Sequence, residues 1–484
     1  MSGDPGILSF GAYIPRKRLQ RAAVHSANAW FAPSLAGLAK GERAIGDWDE
    51  DTVTMAVEAA RDTLVGFDRA RVKSIALAST TLPFNDRLNS GIVKEALTLA
   101  DSIAAIDVTG SQRAATSALI QALRGAVSDG DAQLCLASEM RKSLPASESE
   151  LLSGDAAAGL LIGSGEPIAR FLGAHSVTMD FVDHYRSAGM QFDYGWESRW
   201  IRDEGYTGLI GAALKDALAQ LRVEPAAIDR LIVPIAARGV PEMLAQRAGM
   251  RPESVANTLV AHVGEAGAAH PFLLLAAALE QAKPGEKILL AGFGQGVDVL
   301  LFETTQALQK LAPRRGVKGS LARGIKDSNY MRWLFHRGIL ELDRGMRAEL
   351  DQKQPGTVLW RHRKAVLGLV GARCSKTGAV QFPRSDISVS PDEHLAHTQE
   401  DYCLAERKAR VVTYTADNLT YSPNPPAYYG MIDFEGGGRM TVEFADLSPE
   451  DIEVGREMQM MFRIKGVDEK RDFIKYFWKA VPVV

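Results

Sequence analysis

Residues 259–303, LVAHVGEAGAAHPFLLLAAALEQAKPGEKILLAGFGQGVDVLLFE, decide how the chain is to be read. A loop of small residues, GEAGAAHP, opens an apolar helix. A turn at Lys283–Pro284–Gly285 ends the helix, and EKILLAGFG (286–294) follows as a short apolar strand bounded by charge and glycine. A second glycine loop, GFGQGVD, comes next. Loop, helix, strand and glycine loop in this order mark a layered α/β fold. Small residues let backbone approach a ligand, and the free N–H groups of a helix start suit a developing anion. A histidine stands near each end of the first loop, so His262 and His270 are the candidates for proton transfer. Each also has a structural reading, His262 as a core histidine and His270 as a helix-start residue. Glu265 is a candidate base or a charge at a helix N-terminus.

The same alternation extends toward the N-terminus. SIALAST (74–80), QLCLASE (133–139), AAGLLIGS (157–164) and DRLIVPIA (229–236) read as buried strands. Between them DTVTMAVEAARDTLVGF, ATSALIQALRGAVSDG and TGLIGAALKDALAQL read as amphipathic helices. Near residue 310 the pattern changes. QKLAPRRGVKGSLARGIKD (309–327) is basic and reads as a solvated linker, and 329–350 as one or two amphipathic helices. From 356 onward TVLWRHR, AVLGLVGAR, RVVTYTAD, YGMIDFEGGGRMTVEFA and EMQMMFRIKG read as strands with glycine corners, the pattern of a small closed barrel. The expected division is 1–165, 166–310, a linker with helices over 311–355, and a barrel module over 356–484.

Composition narrows the function. The 484 residues carry 56 Lys plus Arg against 59 Asp plus Glu, a formal charge of −3, and 46% are apolar. This balance, without a long basic run, argues against nucleic acid as partner. No apolar run reaches the ~18 residues of a membrane span, and no secretory leader is visible. The cysteines, Cys135, Cys374 and Cys403, are too few for a disulfide framework and fit a reducing, cytoplasmic setting.

Five segments in order carry a resemblance: GAYIPRKRL (11–19), WDEDTVTMAVEAA (48–60), DVTGSQRAATSAL (107–119), SGDAAAGLLIG (153–163) and the 259–303 stretch. Together they resemble the thiolase superfamily, in the branch of ketoacyl synthase III and 3-hydroxy-3-methylglutaryl-CoA synthase. The resemblance covers residues 6 to about 305. It implies an α/β, five-layer thiolase fold of two similar halves, a homodimer, and coenzyme A as substrate or acyl carrier. Residues 371–385, 410–419 and 429–440 are similar to the OB-fold module that accompanies thiolase-like acyl-CoA enzymes. Such modules often carry a zinc ribbon of two CxxC pairs. Here Thr377 stands where a second cysteine would, and no metal is expected, with Cys374, Cys403, His394 and His397 the only ligand types near by.

The chain departs from the branch at the chemistry. The resembled enzymes place a nucleophilic cysteine in a pattern such as A-C-Y-G-G-T-A-A-L. Aligned on Thr116, Gln112 takes the cysteine position and Ser111 precedes it. Ile235 stands where the branch has a histidine in V-P-H. A covalent acyl-cysteine route is therefore not expected. The resemblance leaves three chemistries: decarboxylation with Gln112 donating to a thioester oxygen, an acid–base aldolase reaction on an acyl-CoA, and retro-Claisen cleavage with CoA as acyl acceptor. The primary expectation is a Cys-independent acyltransferase that makes or breaks carbon–carbon bonds beside a thioester or β-keto group. Its substrate would be an acyl-CoA or a β-keto acid. His262 would carry the proton, Gln112 and Ser111 would orient the carbonyl, and His270 and His184 are further catalytic candidates. Tyr185, Arg186, Glu265, Gly294 and Gly296 are the expected substrate- and CoA-binding positions. The aromatic segment 181–206 reads equally as an acyl pocket or as packing at a dimer interface. The reading from another class is a non-catalytic acyl-CoA-binding scaffold.

Overall fold

The computed structural model describes residues 5–125, 130–345, 356–391 and 394–483. Two compact units emerge. The first comprises 1–47, 51–91 and 99–333, and the second 48–50, 92–98 and 334–484.

The first unit is built on one nine-stranded sheet. Its strands are β1 (Gly6–Tyr13), β2 (Val72–Ala78), β3 (Ala104–Val108), β4 (Ala132–Glu139), β5 (Ala156–Gly163), β6 (Ala169–Thr178), β7 (Arg230–Ile232), β8 (Lys287–Phe293) and β9 (Gly296–Thr304). Their spatial order is β7-β8-β9-β6-β1-β5-β4-β2-β3. The sheet reads as one pattern used twice. Going out from β1, the order is β1-β5-β4-β2-β3; going out from β6, it is β6-β9-β8-β7, then a parallel bridge from Leu231 to Val255. In each half the second strand, β5 or β9, runs antiparallel to both neighbours, and the next two pairings are parallel. Within the sheet the halves pair at Gly6–Arg170 and Ile7–Ala169.

Helices fill the layers between and outside these halves. They are α1 (Thr52–Thr63), α2 (Ala114–Arg124), α3 (Gly211–Leu221), α4 (Val240–Arg247) and α5 (His270–Leu279). α1 lies on β1, β5 and β4, and α3 on β6 and β9. α2 and α5 touch each other and strands of both halves. The succession is helix, sheet, helix pair, sheet, helix, which is a thiolase-like α/β fold. The sequence explains which helix goes where. α5, HPFLLLAAAL, is apolar around its whole circumference, and all ten residues are buried. α1 carries Asp51 as N-cap, which accepts from Thr54 N at 2.9 Å in a reciprocal capping box. β8 is apolar on both faces, as a strand between two helix layers must be.

The 309–327 stretch is not a solvated linker. Arg314 donates to Ser9 Oγ at 2.6 Å and to Phe10 O, while Asp62 receives the N–H groups of Arg315 and Gly316 at 2.9 Å each. Helix Gly316–Ala322 and the rest of the chain to residue 333 belong to the first unit. Basic residues look solvated in a sequence, but a buried acceptor such as Asp62 draws them in.

In the second unit the strands are β10 (Val370–Cys374), β11 (Gln399–Cys403), β12 (Ala409–Asp417), β13 (Ala427–Phe434), β14 (Arg439–Glu443), β15 (Glu457–Asp468) and β16 (Phe473–Pro482). β10 pairs with β11 and with Val380–Gln381. The other five form an antiparallel sheet in the order β14-β13-β12-β15-β16. A bridge between Phe444 and Ala480, with Ala445 N donating to Ala480 O at 3.0 Å, brings its two ends back together. Its core includes Trp478, Phe462 and Met458, and Trp478 Nε1 donates to Leu367 O at 2.7 Å. TVLWRHR is a correction to the strand reading, because residues Gly356–Arg361 are helical, as are Arg363–Gly368 ahead of β10. A run this short has no period long enough to separate strand from helix. The helices expected over 329–350 include Tyr330–His336, and residues 346–350 lie outside the described set.

Candidate active site

Two helix starts meet a hairpin in the first unit. The N-terminus of α2 presents Ser111, Gln112 and Arg113. It is pinned by Asp298 on β9, a buried carboxylate that accepts from Arg113 at 3.2 Å, Thr116 Oγ1 at 2.9 Å, Ser117 Oγ at 2.9 Å and Ser176 Oγ at 2.7 Å. Ser111 Oγ donates to Gly294 O at 2.8 Å and accepts from Arg113 N at 3.1 Å. Gly294 must be a glycine, since a Cβ there would stand 2.8 Å from Ser111 Oγ and its φ is +154°.

Across from this helix start lies a hairpin in which His184–Tyr185 pair with Tyr194–Gly195. Gln112 Nε2 lies 3.1 Å from His184 Nε2, and His184 Nδ1 lies 2.9 Å from Asp183 Oδ2. The amide nitrogen only donates, so His184 Nε2 carries the lone pair and Nδ1–H donates to the carboxylate. Gln295 donates to the other Asp183 oxygen at 3.4 Å. The result is an Asp183–His184–Gln112 line in which the carboxylate fixes the imidazole tautomer and orientation.

Beyond it lie acidic and basic groups. Glu139, at the end of β4 and fully buried, accepts from Thr80 N and Thr80 Oγ1 at 3.1 Å each, Ala268 N at 3.2 Å, Ser79 Oγ at 3.4 Å and Thr81 Oγ1. Five donors thus fix its position. Arg141 pairs with Asp193 at 2.7 Å, and Arg186 pairs with Asp193 at 3.0 Å and donates to Thr80 O. These bonds tie the hairpin to the end of β4. Glu265 enters from the loop before α5, and its Oε1 accepts one bond, from Gly267 N at 3.1 Å. Burial pushes its carboxyl above the usual range, the Glu139 charge adds to this, and Arg141 and His184 oppose it. Burial also raises the Tyr206 phenol, whose field is shared with Glu265 and Asp183. Tyr206 sits on a ten-residue π-helix, Ile201–Ile210.

The expected site residues therefore divide. Gln112, His184, Arg186 and Glu265 come together. His262 does not join them. It is exposed on the turn after Leu259, and its side chain has no hydrogen bond or ion pair among the described residues. The sequence shows two candidate acids and bases three residues apart, and the loop turns the second one inward. His270 is fully buried, its Nδ1 accepts from Ala266 N at 3.3 Å, and burial pulls its pKa down to about 4. It is a neutral support for the Glu265 loop rather than a reacting group. Ser111 is a structural tie to Gly294, and Gly296 begins β9 beside Thr178. Tyr185 is 43% exposed and packs on Tyr194 at 5.5 Å between ring centres. Phe181 stacks on Trp200 at 4.2 Å. Glu139, Arg141, Asp183 and Asp193 were not singled out from the sequence. The one signal for Glu139 is a lone acid closing the apolar run QLCLASE. Cys135 lies within β4, where burial pushes its thiol up to about 12. Cys374 and Cys403 lie in the second unit.

Among the described residues no helix is long and apolar enough to cross a membrane. Residues 218–300 match the family described as 3-oxoacyl-(acyl-carrier-protein) synthase III C terminal. The hydroxymethylglutaryl-CoA synthase of Methanosarcina mazei is 28% identical over 350 residues, which cover 70% of this chain and 99% of that protein. Among solved structures, PksG, an HMG-CoA synthase from Bacillus subtilis, superposes with a TM-score of 0.59 at 16% identity, covering 72% of this chain and 95% of that one. An HMG-CoA synthase complexed with CoA gives 0.56 at 17% identity, covering 73% and 95%.

Proposed function

We propose that this chain, whose body belongs to the thiolase superfamily in the branch of ketoacyl synthase III and HMG-CoA synthase, makes or breaks a carbon–carbon bond next to a thioester without an acyl-cysteine. The observation that carries the reading is the Gln112–His184–Asp183 line. An amide cannot attack a thioester, but its N–H groups can hold a carbonyl oxygen while charge develops on it. An imidazole whose Nδ1–H is held by a carboxylate presents the Nε2 lone pair as a proton acceptor. His184 thus takes the place expected for His262.

In the cleavage direction His184 Nε2 takes a proton from the β-hydroxyl of a β-hydroxyacyl-CoA, or from the thiol of CoA attacking a β-keto group. The bond between the α and β carbons then breaks and its electron pair passes into the thioester enolate. Gln112 stabilises that oxyanion, aided by the positive end of α2. CoA enters as substrate or carrier, consistent with the CoA-bound relative. The five-stranded sheet of the second unit, with its first strand between the second and the fourth and its ends rejoined at Phe444–Ala480, supports the OB-type reading of that module. The homodimer reading has a candidate seam in edge strand β3, where Ile106 is 55% exposed.

The test is a mass-spectrometric assay of purified protein against β-ketoacyl-CoA and β-hydroxyacyl-CoA thioesters and free β-keto acids, with and without CoA. We expect cleavage of a CoA thioester, or CoA-dependent cleavage, that survives thiol alkylation and is lost in His184→Ala. Binding of acyl-CoA without any turnover would overturn the reading in favour of a scaffold. Turnover abolished by alkylation would overturn the Cys-independent route.

A further inference from the structure

We infer that Glu265 is a catalytic acid of this site, the group that delivers a proton to the α-carbon of the enolate. The inference rests on the reading of carbon–carbon bond chemistry above and adds a residue and a step to it. Breaking the α–β bond leaves a carbanion equivalent that must gain a proton. His184 has just accepted one from the other fragment. A second carrier is needed, already protonated when the bond breaks.

The arrangement of the two glutamates supplies it. Glu139 and Glu265 face the same interior, and their negative charges oppose each other. The hydrogen bonds around the two carboxyls differ sharply. Glu139 receives five hydrogen bonds, two of them from backbone N–H groups. Glu265 receives one, from Gly267 N to Oε1. Its second oxygen has no hydrogen-bond partner among the described residues. Burial and this single donor both favour the protonated form of Glu265. The other charged or titratable groups facing it are Arg141, which is committed to Asp193, His184, and the phenol of Tyr206.

The loop geometry keeps the acid in place. Gly267 has φ +48°, and a Cβ there would stand 2.7 Å from Glu139 Cγ. The loop thus lies directly on Glu139, with Ala268 N bonded to it at 3.2 Å. In the step itself the Glu265 O–H bond breaks and a Cα–H bond forms, leaving Glu265 as a carboxylate. The proton on His184 returns to it through solvent once the products leave. No electrons are gained or lost overall.

Hydrogen exchange isolates this step from cleavage. Acetyl-CoA incubated with the 484-residue protein in D2O should exchange its α-protons, read by mass spectrometry. Glu265→Gln keeps the Gly267 acceptor and should lower exchange by about 100- to 10,000-fold. Its affinity for acetyl-CoA should stay within a few-fold of wild type. Glu265→Asp should recover part of the rate. Exchange at the wild-type rate in Glu265→Gln overturns the assignment. If the wild-type protein still cleaves a member of the thioester panel, the broader reading stands without it. If the wild-type protein neither exchanges nor cleaves, both fall. A Glu265→Gln protein that no longer binds acetyl-CoA overturns the catalytic role in favour of a structural one.

Discussion

Lowering the pH from 7 to 4.5 should cost the folded state on the order of 2.5 kcal/mol through His270 alone. In the fold this imidazole is fully buried at the start of α5, and burial pulls its pKa from 6.5 to about 4. Between those values the unfolded chain binds a proton that the folded chain refuses. The contribution of His270 is therefore present in full above pH 6.5, is lost as pH falls toward 4, and levels off below that. Its limit is 2.5 units of difference, or about 3.4 kcal/mol at 1.36 kcal/mol per unit. The perturbation also has a local target. His270 Nδ1 accepts from Ala266 N, so a proton there removes the acceptor that supports the Glu265 loop. The assay is urea unfolding of wild type and His270→Asn across this range. Asparagine can accept from Ala266 N but does not titrate. The variant should start less stable at pH 7 because of its smaller volume, and should lose about 2.5 kcal/mol less on the way to pH 4.5. Parallel pH dependences for the two proteins would refute the reasoning.

Other outcomes follow from the same geometry. Asp183→Asn should lower turnover by about 100-fold or more with little change in substrate affinity, because the tautomer and orientation of His184 depend on that carboxylate. Gly267→Ala places a methyl against Glu139 at a positive φ, and should cost more than about 1 kcal/mol in unfolding experiments as well as activity. Asp298→Ala strands Arg113 and three hydroxyls, and should destabilise by about 3–5 kcal/mol in denaturant titration. Gln112→Ala should leave the fold and the His184 proton acceptor intact but reduce turnover by about 100- to 1,000-fold, the usual cost of one oxyanion donor.

The alternation of strands and helices was legible because each central strand is a continuous apolar run and each helix has an apolar stripe or, in α5, an apolar circumference. The place of Gln112 at the start of α2 was also legible, since the helix pattern that follows it fixes where the helix begins. That the loop turns Glu265 inward and leaves His262 exposed was not. Both lie in one loop of small residues, and nothing in the sequence says which side chain the loop turns inward. Glu139 escaped because an acid ending an apolar strand looks like a solvated terminus until the donors of Thr80, Thr81 and Ala268 are seen around it. Arg314 and Arg315 misled for the opposite reason. They look solvated until Asp62 and the carbonyl of Phe10 are placed beside them.

The two-fold repetition of the sheet has a consequence for how such a site can arise. α2 and α5 are counterpart helices of the two halves, and their starts meet at one place, one carrying Gln112 and the other preceded by Glu265. In a symmetric pair of separate half-chains both starts would bear identical residues, and any change to one would be copied into the other. Joining the halves in one chain releases that constraint. Each helix start can then drift alone, one to carry an amide and the other to follow an acid. Asymmetric chemistry at the centre of a nearly symmetric scaffold is thus a property of covalent linkage, and it requires no change in the strand order that both halves still share.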